Sequence, residues 1–426
     1  MSAADHGIER NHLSVAACRV LDGLHDAGYR ACLVGGAVRD LLLGVQPKDF
    51  DVATDAEPEQ VCALFRRARP IGRRFRIVHV RDGREIIEVS TFRADPHSCG
   101  RDTRLLDSNG RVLRDNVYGD IEQDARRRDF AINGLYYDIA DGCVYDYVGG
   151  LQDIAERRLR LIGTPEVRYR EDPVRMLRAV RIAAKLDLTI DEASEPTAAL
   201  TGLLAEVPAA RLFDEVLKLL MSSAASRVYA MLRARSLLAP LFAQTTTVLD
   251  GPDGAAREAL IEKAITNTAQ RIVEGRPVTP AFIFAALLWP PVRARALALE
   301  AEQDKPPALA LASAQRQVVG RQIQYVSIPK RFATPMREIW QLQPRFHKRR
   351  GKQPRRLMAH PRFRAAYDFL LLRAETGEVD PELAQWWTDI QEQSEPPAPQ
   401  KKSRKRRGRR GGKRRRRGSR AAKAHE

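Results

Sequence analysis

The chain has 426 residues, 44% of them hydrophobic, which is enough for roughly two to four domains with real cores and excludes a protein disordered throughout. Its formal charge of +18 is unevenly placed: residues 401–426 carry fifteen Lys/Arg against one Glu, leaving +4 for everything before them. Five scattered cysteines without a C-x-x-C pair argue against a disulfide framework or zinc site, no run approaches the roughly 18 apolar residues of a membrane span, and M-S-A-A-D-H-G-I-E-R is no signal peptide, so a cytoplasmic setting is expected.

An amphipathic helix is predicted over 13–28, after which strand and helix signals alternate to about residue 160. A strand at 31–34 ends in Gly35-Gly36 and a helical segment follows. The next strand, 49–53, carries Asp49 and Asp51 two apart, so both carboxylates fall on one face. Two unpaired anions on one buried face are costly, so the pair suits a divalent cation. A paired glycine at a helix start lets backbone N–H groups approach a phosphate. Alone, each feature reads as a plain turn or a chance D-x-D; together they propose a metal-dependent nucleotide site. Strands at 75–80 and 85–90 flank an Asp82-Gly83 hairpin turn, a polar loop spans 94–116, and a last strand lies near 144–147. Glu88 could turn toward the Asp pair, although a solvated strand glutamate is the commoner outcome.

In Arg126-Arg127-Arg128-Asp129-Phe130-Ala131-Ile132-Asn133, a helix beginning near Asp129 would put Asp129 and Asn133 one turn apart. The arginines would then crowd a helix N-terminus, where the dipole disfavours cations, which suggests either a phosphate ligand or a solvated loop. Beyond Arg160 the periods are helical, broken by Pro208, Pro240, Pro280 and Pro290-Pro291, and an all-α region is expected to about Trp387. Asp172-Pro173 reads as an N-cap and first-position pair. Asp172, Arg175 and Arg178 then share about a third of a circumference on a helix buried almost all round. Their partners are either acids such as Glu171 or a base edge. Trp340, Trp386 and Trp387 carry no motif and are assigned to body packing and RNA contact. Residues 392–400 are a Pro-rich linker, and the low-complexity basic run after them cannot fold alone.

The run G-G-A-V-R-D-L-L-L-G followed by D-F-D resembles the nucleotidyltransferase domain shared by bacterial poly(A) polymerases and tRNA CCA-adding enzymes. Residues 126–133 resemble that family's R-R-D-F-x-x-N motif, E-D-P-V-R-M-L-R-A-V-R its nucleotide-selecting neck helix, and Pro208 to Glu215 the neck segment that follows. The resemblance covers about residues 10–240. It implies an α+β head of the DNA polymerase β-like nucleotidyltransferase type with a mixed sheet, then all-α neck and body domains and a disordered basic tail. The corresponding divisions are a leader at 1–28, head at 29–160, neck at 161–240, body at 241–391, and linker and tail at 392–426. Mg²⁺ would be held by Asp49 and Asp51, with Asp129 as third acid and Glu88 in reserve. Gly35, Gly36 and Arg39 would cradle the triphosphate, Arg128 and Asn133 the nucleotide, and Asp172, Arg175 and Arg178 the adenine side.

I-G-R-R-F-R-I-V-H-V at 71–80 resembles the signature that separates the polymerases from CCA-adding enzymes, and its Arg73 and Arg74 could grip RNA phosphate. The expected reaction is attack of an RNA 3′-hydroxyl on the α-phosphate of ATP, repeated to build a poly(A) tail. Lys401, Lys402, Arg404, Lys405, Arg406 and Arg407 would hold RNA by neutralising phosphates. The resemblance also implies a monomer that meets RNA chaperones and the RNA-degradation machinery, where tails promote decay. Two alternatives stand beside this: a CCA-adding enzyme, and a non-catalytic RNA-binding protein with the same fold.

Overall fold

The computed structural model describes residues 1–72, 76–94 and 117–393, with the backbone of 105–106 and 112–114. Arg73, Arg74, most of the polar loop, and the tail positions Lys401, Lys402, Arg404, Lys405, Arg406 and Arg407 lie outside the described residues.

β1 (Ala31–Val34) is buried at all four positions because both of its faces are covered. Leu33 joins Val52, Val89, Tyr137 and Val144 beneath the helix Val15–Asp26, which contributes Val20, Leu21 and Leu24. Ser14 caps that helix by accepting the Ala17 N–H at 3.1 Å. Cys32 and Val34 face the other way, onto Phe92, Ile121, Ala125 and Tyr136. The remaining strands are β2 (Asp51–Thr54), β3 (Ala68–Ile71), β4 (Ile77–Asp82), β5 (Glu85–Thr91), β6 (Leu105–Leu106), β7 (Val112–Arg114), β8 (Leu135–Asp138) and β9 (Cys143–Asp146). Seven of them form one sheet in the order β3-β4-β5-β2-β1-β8-β9, while β6 and β7 pair separately. The sheet is mixed: β2 runs parallel to β5, and the other neighbours are antiparallel.

Most expected strands are present with shifted ends, and the hairpin turns at Gly83 with φ +60°. The second strand begins at Asp51 rather than 49, and Asp49 precedes it. Two strands of the seven-stranded sheet were not anticipated, and β6 and β7 lie where only a polar loop was expected. β3 is an edge strand that contains Arg69 and Pro70, which the sheet tolerates only at such a margin. β8 is buried at every residue, so no alternation announces it.

Beyond the head the described chain is helical, apart from a two-strand pairing of Arg158–Leu159 with Thr189–Ile190. One apolar core runs from Phe130 and Ile132, at the rim of the head, through the helix Val174–Leu186 to Phe369 and Leu372. Head and neck are therefore packed together, and the core crosses residue 240 without a break. A smaller core gathers Leu342, Phe346, Leu357, Phe363 and Trp387 near the end.

Pro290 and Pro291 do not break a helix, contrary to expectation; both sit inside Pro280–Gln303. That helix is long and apolar enough to cross a membrane by length and composition, yet two-thirds of its apolar window is buried within the protein. Its burial offsets the two missing N–H donors.

Trp340 is fully buried and its Nε1 donates to the Ala285 carbonyl at 3.1 Å. Trp340→Ala should lower the unfolding free energy by about 3–5 kcal/mol, read as a lower urea midpoint.

Candidate active site

The glycine pair at the end of β1 makes room for two guanidiniums. Gly35 adopts φ +69°, and a Cβ there would lie 3.3 Å from Arg128 Nη1; one at Gly36 would lie 3.4 Å from Arg39 Nη2. Arg39 is buried on the helix Gly36–Leu42. Its Nη1 donates to Asn133 Oδ1 at 2.6 Å and its Nε to Asp40 Oδ1 at 2.9 Å. Asn133 Nδ2 donates to Asp129 Oδ1 at 3.1 Å, and Arg178 Nε reaches Asp129 Oδ2 at 2.7 Å from the neck helix. Arg39, Asn133, Asp129 and Arg178 thus form one continuous hydrogen-bonded chain across the junction of head and neck. Arg128 belongs to a neighbouring cluster: its Nε donates to Tyr136 Oη at 2.9 Å and its Nη2 to Asp124 Oδ2 at 3.0 Å.

The arginine run does not crowd a helix N-terminus. Arg126 and Arg127 occupy the last turn of the helix Ile121–Arg127 and Arg128 caps it, where the dipole favours cations. No helix begins at Asp129 either. Phe130 makes a β-bridge with Leu161, and a single 3₁₀ turn covers Ala131–Asn133.

The two halves of the site have opposite electrostatics. Burial works to raise the Asp129 carboxyl, but the Arg178 guanidinium and the Asn133 amide overcome it and hold the group well below the usual carboxylate range. Asp51 has no such partner. Asp49 and Asp51 are exposed on either side of buried Phe50, whereas a buried face was expected for the pair. Asp51 lies directly beside Glu88 in the β2–β5 register. Protein packed around the carboxylate withholds solvation, and with the Glu88 charge this pushes it up to about 6, although Arg128 pulls the other way. Glu88 is itself 3.2 Å from His79 Nε2. By position, then, Glu88 adjoins the Asp pair, while Asp129 is committed to Arg178.

An under-compensated acid pair of this kind fits a magnesium ion, which would relieve its repulsion. Among the described residues no three acidic, thiol or imidazole groups converge to enclose an ion. Magnesium usually takes one or two carboxylates and completes its shell with water and substrate phosphate.

On the neck, Asp172 ends the helix Pro165–Glu171, and Pro173 precedes the helix Val174–Leu186. Asp172 still caps that helix through Oδ1, which accepts the Val174 N–H at 3.3 Å. Its Oδ2 accepts from Arg211 Nη2 at 2.7 Å. Arg175 Nη1 donates to Glu171 Oε2 at 2.9 Å and to the Arg168 carbonyl at 2.6 Å. The three residues expected on one face therefore go to three different partners. Sequence reasoning named the segment holding Arg211 but not its pairing. It missed two further head–neck ties: Arg168 Nη2 donates to the Arg127 and Arg128 carbonyls, each at 2.7 Å, and Lys185 Nζ to Asp40 Oδ2 at 3.3 Å. The i,i+4 spacings of Asp124 with Arg128 and of Glu171 with Arg175 could signal pairs in advance.

Comparison with known proteins now decides the lineage. The chain is 49% identical to poly(A) polymerase I of Salmonella typhi over 396 residues, covering 92% of this chain and 85% of that protein. Family profiles match at 31–160 (poly A polymerase head domain), 187–249 (probable RNA and SrmB-binding site of polymerase A) and 303–421 (polymerase A arginine-rich C-terminus). The chain belongs to the bacterial poly(A) polymerase I family. Similarity to the CCA-adding enzyme of Bacillus subtilis is 38% over 211 residues, about half of each chain. The crystal structure of the Bacillus stearothermophilus CCA-adding enzyme with CTP is 25% identical, covers 88% of this chain and 81% of that one, and superposes with a TM-score of 0.51. The poly(A) polymerase and CCA-adding enzymes thus share a nucleotidyltransferase head and helical body, whereas the likeness to the polymerases runs nearly the whole chain.

The raised Asp51 carboxyl has a thermodynamic signature. The folded state holds this proton more tightly than the unfolded chain does, so its ionisation costs stability as pH rises from the ordinary value of 3.8 through about 6. Asp51→Asn should therefore melt higher than the parent chain at pH 8 in chelator. The gain should disappear near pH 3.5, and thermal melts across that range check it.

Proposed function

We propose that this poly(A) polymerase transfers AMP from ATP to RNA 3′ ends through the site built on Asp49 and Asp51. The observation that carries the assignment of residues is the load on Asp51: an acid beside Glu88 with no cation hydrogen-bonded to it among the described residues, near Arg128 and Asp129, which are both paired. Magnesium bound there supplies Lewis-acid activation of the attacking hydroxyl and neutralises charge on the departing pyrophosphate. Glu88, the register partner of Asp51, adds to the negative charge that the ion would offset. Asp129 contributes by holding Arg178 and Asn133 in place.

Gly35, Gly36 and Arg39 line the triphosphate side, where the absence of Cβ atoms leaves room between two arginines. Arg128 and Asn133 contact the nucleotide, and Arg178 reaches it from the neck. Adenine offers an amino donor at N6 and an acceptor at N1, which Asp172 and Arg175 match as acceptor and donor. Both already have partners, so base binding exchanges the Asp172–Arg211 and Arg175–Glu171 pairs for contacts to adenine. Arg73 and Arg74 take RNA phosphate beside the head.

The division into leader, head, neck, body and tail is retained as a working scheme, with neck and body sharing one core. The profile over 187–249 supports RNA contact on the neck. A monomer working in the cytoplasm is part of the same proposal.

The decisive assay supplies generic single-stranded RNA with ATP alone and magnesium. Long tails are expected; a product that stops after one addition, or that needs CTP and a truncated tRNA, points to a CCA-adding enzyme instead. Asp49→Ala and Asp51→Ala should each reduce incorporation at least about 10²-fold with the fold intact. Persistent activity in the double variant removes the metal role from both. Deleting residues 400–426 should weaken RNA affinity and flatten its salt dependence while single-nucleotide addition survives. Binding that is unchanged at every salt concentration refutes the role of the tail.

A further inference from the structure

Within the folded body lies a second concentration of positive charge, separate from the tail. Residues 339–367 contain no Asp or Glu, while Lys348, Arg349, Arg350, Lys352, Arg355 and Arg356 fall within nine positions. All six are exposed, and none makes an ion pair with a described acid. Nearby Arg362 and Arg364, by contrast, pair with Glu338 and Asp368.

The segment is also fixed in place. Phe346 and Leu357 insert into the small C-terminal core, Pro354 is buried between them, and Trp387 Nε1 donates to the Phe346 carbonyl at 2.9 Å. Phe346 and Trp387 meet edge to face with ring centroids 5.1 Å apart. The cations therefore stand on a rigid base, and their mutual repulsion is not relieved by spreading apart. A half-exposed indole sits at the margin: Trp386 leans on Trp387, and the Arg349 guanidinium lies over its ring, 5.9 Å from the centroid. His347, at the base, is kept from adding charge by burial and by Arg373 and Arg349, which lower its pKa.

We propose that this face is a binding site for single-stranded RNA, in which the 348–356 cations follow the phosphate backbone and Trp386 stacks a base. A row of unpaired cations beside an accessible aromatic is the pattern that sequence-tolerant single-strand binding uses, the charges tracking phosphates and the ring accepting any base. An acidic protein would satisfy the charges but gives the indole no comparable role. The inference rests on RNA being the acceptor of the reaction. It adds that the folded body grips nucleotides upstream of the 3′ end, independently of residues 394–426.

The test uses the full chain with its tail intact. Lys348, Arg349, Arg350 and Lys352 are changed together to Gln, and separately Trp386→Leu and Trp386→Phe are made, with thermal melts confirming folding. Binding of a labelled 20-nucleotide oligoadenylate is titrated over salt, and AMP incorporation is measured on that RNA and on a trinucleotide primer. The quadruple variant should raise KM for the 20-mer about tenfold at unchanged kcat, and reduce the slope of log K against log salt by up to about 3, since each lost phosphate contact on a single strand removes about 0.7. Trp386→Leu should weaken 20-mer binding about fivefold or more, with Trp386→Phe restoring it. Incorporation on the trinucleotide should not change. Equal affinity and salt slope in the quadruple variant overturn the site and leave an acidic protein as the occupant. A matching loss on the trinucleotide overturns it as well, because the effect would then lie at the reaction centre. Failure of the parent chain to extend either RNA refutes the functional reading instead.

Discussion

The pairing of Arg178 with Asp129 is the contact on which the rest of the site depends. It joins a helix of the neck to the loop that closes the head, and the Asp129 carboxylate is held there with its side chain only 12% exposed. Neither charge is comfortable alone in such a position, so each fixes the other. From Asp129 the order passes to Asn133 and on to Arg39 beneath the glycine turn. Arg168 and Lys185 add two more ties between the same elements. The nucleotide-selecting helix is thereby indexed to the end of β1, from which the phosphate-side glycines project.

The same arrangement explains why two nearby aspartates differ so much. Asp129 is saturated with donors and ionises readily. Asp51, one strand away from β1, has Glu88 as its register partner and Asp49 two residues before it. Converging acids without a cation are a liability for folding, and a protein retains one where a ligand will supply the missing charge. The site thus spends its arginines on holding geometry and leaves its carboxylates in need of a metal.

Much of this was legible because the informative signals are local. The alternation of Asp49, Phe50 and Asp51, the glycine pair, and the apolar flanks of Arg175 and Arg178 can each be read within a few residues. What escaped notice depends on distance along the chain. Glu88 was named as a neighbour of the Asp pair, but its place beside Asp51 is fixed only by β5 running parallel to β2, and no local pattern states that pairing. The helix direction around Arg128 was misread because the dipole argument needs to know at which end the run lies. Pro290 and Pro291 looked like breakers because burial, which keeps their helix intact, is a tertiary property. The basic face at 348–356 was hidden by the near-neutral total before residue 401, since acids elsewhere in the body balance the sum without being near it.

On the proposed roles of Asp172 and Arg175, base selection follows from how the neck pairs are held rather than from their chemistry alone. Cytosine, like adenine, offers an amino donor next to a ring-nitrogen acceptor, so an aspartate and an arginine facing the base accept either one. Discrimination must then come from the depth and angle at which the two side chains stand relative to the bound triphosphate. In this structure Arg211 sets Asp172, while Glu171 and the Arg168 carbonyl set Arg175. Because both pairs must open for the base to enter, only a base that replaces both sets of hydrogen bonds recovers the cost of breaking them. The protein can therefore choose ATP without a nucleic-acid template, provided that the ties between neck and head do not slacken.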